Sequence, residues 1–392
     1  MTPLRLLLVT GEYPPMQGGV ADYTRALGLA LAARGHEIAV LTSTQAQPAP
    51  DDHTLAVFPL VESWGWSCWQ DLDAAFRAWQ PHLVHIQYQT AAYALRPAIN
   101  LWPWRPWQRL PLPTAVTFHD LRLPYLFPKA HLVRRWVTQT LARSCTLVVA
   151  TNPEDTAALR PLRPDLLEIP IGSNIPCAPP ADFDRSAWRA RLGLGPSTAL
   201  LCYFGFLNAS KGGELLHQVL ARLLAAGHDA HLLMIGGQVG ASDPTNQGYL
   251  QRVRADIEAL GLTARVHWTG HIPSPQVSAA FLASDICLLP YQDGVSYRRG
   301  SFMAALAHGM AIVTTPPAVP HPHLGDGETV LLAPAQAPAL AAAVLRLLAD
   351  PALAQRLREN AGRLSHTFAW EHIAARSDEA YQAIVQTWER TG

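Results

Sequence analysis

Apolar residues along this chain fall into short runs separated by longer stretches of helical spacing, and the whole pattern occurs twice. In the first half the runs are Leu4–Val9, Ile38–Leu41, Leu83–Ile86, Ala115–Phe118, Leu147–Ala150 and Leu167–Ile169. In the second half they are Ala199–Phe204, Ala230–Ile235, Val266–Trp268, Ile286–Leu289, Ile312–Thr314 and Val330–Leu332. Glycine, proline or polar residues bound each run. Continuous apolar runs of this length are strands buried on both faces, and most are separated by enough chain for a helix, which predicts covered parallel sheets. Two such series describe an α/β protein of two Rossmann-like, doubly wound domains. The proline-rich segment Ile175-Pro176-Cys177-Ala178-Pro179-Pro180 has no periodicity and reads as the linker, leaving domains at 1–175 and 181–368. Doubly wound sheets bind ligands outside the carboxyl ends of their strands, so two facing domains would form a cleft lined by the loops that follow strands.

The bulk properties agree with this picture and narrow it. A length of 392 residues suits two domains, and 49% hydrophobic with 15% charged residues describes a well-buried globular chain. Formal net charge is zero and the pI is about 7.3, so no overall field favours nucleic acid and any anion site must be local. The five cysteines (Cys68, Cys145, Cys177, Cys202, Cys287) lack CxxC spacing, which argues against a disulfide framework and a zinc site. Cys145, Cys202 and Cys287 fall in apolar runs and are expected as packed thiols. The first apolar run is followed by Gly11-Glu12 and a proline pair without a small-residue cleavage site, so it reads as a strand and not a signal peptide. No uncharged apolar stretch of about 18 residues occurs, and a cytoplasmic location is the default expectation.

Lys211 is one of two lysines, with Lys129, in a chain that otherwise carries its positive charge on arginine. It ends the loop Gly205-Phe206-Leu207-Asn208-Ala209-Ser210-Lys211-Gly212-Gly213, between a strand and the amphipathic stretch Glu214–Ala225. An ammonium beside glycines and the positive end of a helix suits nucleotide phosphates, against the plainer reading of a surface lysine near a cap. The loop Leu289 to Ser301 holds Asp293, Ser296, Arg298, Arg299, Gly300 and Ser301 ahead of a helix Phe302–His308. Two forked donors and the backbone N–H groups of a helix start can converge on a diphosphate, and the alternative is a solvated arginine pair with Ser301 as N-cap. In the first half, Gly18 and Gly19 open a helix with Val20, Tyr23, Leu27 and Leu31 on one face, and their spacing matches neither GxGxxG nor a P-loop. His119, leaving the strand Ala115–Phe118, could bond a sugar hydroxyl or serve as a structural imidazole.

Two other features carry weaker signals. Asp71-Leu72-Asp73 and Asp182-Phe183-Asp184 precede helical patterns and read as N-terminal caps, so metal dependence is not indicated. The segment Trp102-Pro103-Trp104-Arg105-Pro106-Trp107-Gln108-Arg109 could stack on sugars, rest at a membrane interface or, as the favoured reading, pack beneath a proline-rich loop.

Taken in order, these loops resemble the retaining glycosyltransferases of family 4, which have the GT-B arrangement of two Rossmann-like domains. The resemblance rests on Pro14-Pro15-Met16-Gln17-Gly18-Gly19, Phe118-His119-Asp120, Gly205 to Lys211-Gly212, Thr269-Gly270-His271, Ala305 to Gly309, Leu324-Gly325-Asp326-Gly327-Glu328 and Phe368-Ala369-Trp370-Glu371-His372-Ile373. It implies that 369–392 crosses back onto the first domain, that the second domain holds a nucleotide-diphosphate sugar, and that the first holds the acceptor. By position, Lys211 would hold the donor phosphates and Gly18–Gly19 would offer backbone N–H groups to the diphosphate. His119 would contact the transferred sugar, and the loop Thr269–His271, with Gly270 and His271, would lie near the base. The chain departs from the family pattern at Phe206, where an arginine is usual, and at Ser296 and Ala304, where glutamates are usual. Either Arg298 or Arg299 replaces the arginine and Asp293 takes the sugar-hydroxyl role, the account that the doubled arginine favours, or the donor is altered or activity lost.

The resulting expectation is a retaining, metal-independent glycosyltransferase with no cofactor beyond its donor substrate. A non-catalytic relative and another nucleotide-sugar enzyme such as an epimerase are the alternatives. The acceptor stays open between a soluble sugar and a lipid-linked one, since Lys129 to Arg135 and the tryptophan–arginine segment are compatible with peripheral membrane contact. Oligomeric state is open.

Overall fold

In the computed structural model, which describes residues 2–16, 18–48, 52–105, 110–121, 131–236, 244–321 and 323–391, the chain separates into two units. Unit 1 comprises Met1–Gly172 with Ala369–Gly392, and unit 2 comprises Ser173–Phe368.

Unit 1 is built on strands β1 (Arg5–Thr10), β2 (Glu37–Ser43), β3 (Leu55–Val61), β4 (Leu83–Gln89), β5 (Thr114–Asp120), β6 (Leu147–Ala150) and β7 (Leu167–Glu168). They form a parallel sheet in the order β3-β2-β1-β4-β5-β6-β7. Its helices are α1 (Gly19–Ala32), α2 (Cys68–Trp79), α3 (Ala98–Leu101), α4 (His131–Ser144) and α5 (Pro153–Leu159). Side chains alternate across the sheet, so β1 feeds both faces at once. Leu7 and Val9 join a cluster with Leu72 and Trp102, while Leu6 and Leu8 pack with Tyr23 and Leu27 of α1. β3 is a strand that the apolar pattern does not announce, because Pro59 interrupts it; as the sheet edge it tolerates a residue without an N–H.

Unit 2 opens with α6 (Arg185–Ala190), whose N-terminus is capped by Asp184 accepting from the Ala187 N–H at 2.7 Å. It continues with β8 (Ala199–Phe204), α7 (Gly213–Ala225), β9 (Ala230–Ile235), α8 (Pro244–Ala259), β10 (Val266–Gly270), α9 (Ser274–Ala283) and β11 (Ile286–Leu289). After these come α10 (Gly300–Ala307), β12 (Ala311–Thr314), β13 (Leu331–Leu332), α11 (Ala337–Ala349) and α12 (Pro351–Ser365). Its parallel sheet runs β10-β9-β8-β11-β12-β13. Both sheets therefore reverse strand order beside their first strand, the Rossmann arrangement. Cys145, Cys202 and Cys287 are buried thiols.

The last helix, α13 (Trp370–Thr391), packs onto unit 1. Ile373, Ala374 and Tyr381 complete the core on the α1 face. Polar bonds fix its register: Tyr381 Oη lies 2.7 Å from His85 Nδ1, and Arg34 donates to Asp378 at 3.0 and 3.1 Å. His36 Nε2 lies 3.1 Å from the other oxygen of Asp378. Two expectations change here. Asp71 lies within the first turn of α2 and Asp73 binds both Arg105 and Trp102, so neither is the cap of that helix. Trp102 is fully buried with Arg105 over its ring, so these two pack, whereas Trp104 is 45% exposed; Pro106 to Arg109 lie outside the described residues, as do Gln17 and Lys129. Among the described residues no single helix is long and apolar enough to cross a membrane.

Candidate active site

Two loops of unit 2 meet at the switch point between the neighbouring strands β8 and β11. The first leaves β8 at Gly205, enters a short turn at Ala209–Lys211 capped by Asn208, and passes through Gly212 into α7. Asn208 Oδ1 accepts from the Lys211 N–H at 3.0 Å. Gly212 has φ +69, and a Cβ there would lie 2.0 Å from the Pro290 carbonyl oxygen. Only glycine lets the two loops close up, and the Gln292 N–H donating to the Ser210 carbonyl at 2.8 Å ties them together.

This closure aims Lys211 at the start of α10. A Cβ at Gly205 would come within 3.3 Å of Lys211 Nζ and 3.7 Å of Ser301 Cβ, so lysine, glycine and helix start share one corner. The ammonium is mostly withdrawn from water and has Arg299 nearby; burial first, then that charge, lower its pKa from 10.5 to about 8. Arg299 lies with its guanidinium carbon 4.6 Å from the ring centroid of Tyr291, and Tyr291 Oη bonds Ser301 Oγ at 2.6 Å. Arg299 also bonds Asp293, and Arg298 Nη2 lies 3.9 Å from the other Asp293 oxygen. Lys211 and Arg299, with Arg298 beside it on Asp293, thus gather near the exposed N–H end of α10 at Gly300, a setting that suits an anion.

The remaining unit 2 candidates divide. Ser296 is 2% exposed, with its hydroxyl turned toward the Arg298 N–H and its carbonyl accepting from the Arg299 N–H at 3.0 Å. It shapes the turn that carries the arginines and is not presented to a ligand. Ala304 is buried inside α10. Gly270 and exposed His271 end β10, two strands from β8 and so roughly 10 Å away. Thr269 there accepts from the Gly236 N–H at 3.0 Å and has no described contact with Lys211. Phe206 faces Lys211, whose Nζ is 6.0 Å from the ring centroid.

In unit 1 the corresponding switch point lies between β1 and β4. Gly18 is the N-cap of α1 and Gly19, its first residue, is open to approach, but the Glu12 side chain fills the space at Gly18: a Cβ there would sit 1.9 Å from Glu12 Oε2. Burial first, then the neighbouring Asp22 charge, raise the pKa of Glu12. A carboxylate in this position opposes a second anion, so Gly18 is a poor diphosphate cradle and a better place for a hydroxyl. His119, half-buried at the end of β5, donates through Nε2 to Gln87 Oε1 at 3.0 Å and meets Tyr23 edge-on at 4.4 Å. Desolvation lowers its pKa to about 3, which keeps the imidazole neutral. Glu12, Gln87 and Tyr291 are not among the site residues expected from the sequence; the hint of Glu12 is an acid two residues after β1 ends at Thr10.

Comparison with known proteins decides the family. Residues 184–363 match the model "Glycosyl transferases group 1", and residues 17–168 match "Glycosyltransferase Family 4". The chain belongs to the family 4 glycosyltransferases. This glycosyltransferase is 27% identical to a glycogen synthase of Mycobacterium tuberculosis, over 97% of its own length and 95% of the relative's. Its fold matches sucrose-phosphate synthase from Thermosynechococcus elongatus with a TM-score of 0.78 at 23% identity, covering 98% and 100% of the two chains. It also matches Anabaena HepE, solved in complex with UDP and glucose, with a TM-score of 0.74 at 18% identity over 97% and 100%. The two Rossmann-like units are those of a GT-B glycosyltransferase.

Proposed function

We propose that this glycosyltransferase moves a sugar from a nucleotide-diphosphate donor, held by unit 2, to a hydroxyl of an acceptor held by unit 1, with retention and without a metal ion. The observation that carries this reading is the convergence of Lys211, Arg298 and Arg299 on the start of α10. The complex of the structurally similar HepE with UDP and glucose supports a nucleotide donor. In the reaction the bond from the anomeric carbon to the diphosphate breaks and a bond to the acceptor oxygen forms. The acceptor's proton passes to an oxygen of the leaving phosphate. The protein then needs to neutralise the diphosphate, and the cations at α10 do so without a metal; removing one such donor costs about 2.7–4 kcal/mol of barrier. Neutral His119 serves a sugar hydroxyl.

The test is a thermal-shift panel of nucleoside diphosphates and nucleotide sugars with wild type and Lys211→Ala, followed by turnover with EDTA present. A shift selective for one base, lost in the variant together with at least about a hundredfold of kcat, is expected. Wild-type turnover by Lys211→Ala, or turnover abolished by EDTA, would refute the assignment. Retention is read from the anomeric coupling of the product by NMR.

The absence of carboxylates at Ser296 and Ala304 favours a second reading, a donor-binding protein without turnover. Nucleotide binding without sugar transfer to any acceptor would select it. A lipid-linked acceptor draws support from α4, which has no acidic residue, carries Arg134, Arg135 and Arg143, and exposes Leu132 by 77%, Val133 by 61% and Trp136 by 47%. Co-sedimentation with phosphatidylglycerol vesicles, reduced in Trp136→Ser, tests that choice.

A further inference from the structure

We propose that Asp293 is an internal counter-anion for the donor site: its carboxylate occupies the guanidinium donors that a diphosphate needs and is exchanged for it on binding. The inference rests on reading the α10 start as the diphosphate site. It replaces the sugar-hydroxyl role that the family resemblance suggests for this residue.

The geometry supplies the reasons. Asp293 is bonded to Arg299, and its second oxygen faces Arg298 at 3.9 Å, so one carboxylate bridges both guanidiniums. These side chains are 13% and 10% exposed, and like charges this withdrawn from water repel one another strongly without an anion between them. Lys211 adds a third charge, close enough to Arg299 to be felt in its own protonation. Arg299 is further fixed over Tyr291, which Ser301 holds in turn, so the arginine is positioned before any ligand arrives. Asp293 itself keeps 29% of its side chain in solvent and lies on a loop that turns at Gly294 with φ +86. Among Asp293, Arg298 and Arg299 it is the most exposed side chain. A carboxylate and a phosphate oxygen are interchangeable acceptors for a guanidinium fork, so diphosphate binding displaces one anion by another of higher charge. The bridge keeps the cations apart and in place, and it also weakens every anion that must displace it.

The experiment is isothermal titration of wild type, Asp293→Asn, Asp293→Ser and Arg299→Met with inorganic pyrophosphate and with UDP, ADP, GDP and dTDP, alongside the melting temperature of each protein. Both Asp293 variants are expected to bind pyrophosphate and the preferred nucleotide about tenfold more tightly, with product inhibition strengthened in parallel, while Arg299→Met loses binding. Equal or weaker binding in both Asp293 variants overturns the inference and leaves the donor site standing. Failure of both variants to fold would make Asp293 a structural group and overturns it too. No anion binding by any of the four proteins overturns the donor-site reading itself, and this inference with it.

Discussion

Replacing Lys211 by methionine removes a charge from a place where the folded protein holds it at a cost. Its pKa falls from 10.5 to about 8 on folding, through burial and the Arg299 charge. At about 1.4 kcal/mol per unit, the charged ammonium costs unit 2 up to about 3 kcal/mol, and its remaining solvent exposure brings the expected effect to roughly 1–3 kcal/mol. Below pH 8 lysine is protonated in both states and the cost is complete. Between pH 8 and 10.5 the folded state binds fewer protons than the unfolded, so stability rises with pH and the cost fades. Lys211→Met should therefore be more stable than wild type at pH 7, with the gain mostly gone by pH 10, and should lose nucleotide binding at both. Urea unfolding followed by far-UV circular dichroism at the two pH values, with titration calorimetry for the nucleotide, measures this. A variant destabilised at pH 7, or stabilised equally at pH 7 and 10, would refute the argument that Lys211 is a charge kept at thermodynamic cost for binding.

Further outcomes follow from particular contacts. Gly212→Ala forces a side chain into left-handed backbone and against the Pro290 carbonyl; at least about 2 kcal/mol of unit 2 stability should be lost, with nucleotide affinity, in the same denaturation and titration assays. Asp378 is desolvated, which by itself raises its pKa, yet the hydrogen bond from Arg34 and the proximity of His36 bring it below the usual value. Asp378→Asn should destabilise unit 1 by about 3 kcal/mol near neutral pH, and the gap to wild type should close as pH falls below about 4. His119 stays neutral across the working range, so His119→Asn should lower kcat by about 10–100-fold without changing the shape of the pH–rate profile between pH 5.5 and 7.5. A lost ionisation limb near pH 6.5 would show instead that this histidine titrates during turnover.

What could be read from sequence alone is local in origin. Strands such as Leu4–Val9 and Ala199–Phe204 are buried on both faces, so each announces itself as an unbroken apolar run, and their alternation with helices dictates a doubly wound sheet. The loops after those strands carry glycine, lysine and paired arginine, which suit anions whatever their partners. Tertiary structure decided which of these groups meet. It put Lys211 beside Ser301, 90 positions later in the sequence, and gave both arginines to Asp293. It buried Ser296 beneath the turn it shapes and set Glu12 against Gly18. It also held α13 to unit 1 through His85 and Asp378, contacts spanning about 300 residues or more. None of these follows from a residue's neighbours, because charge pairing, desolvation and steric closure depend on distances that exist only once the chain has folded.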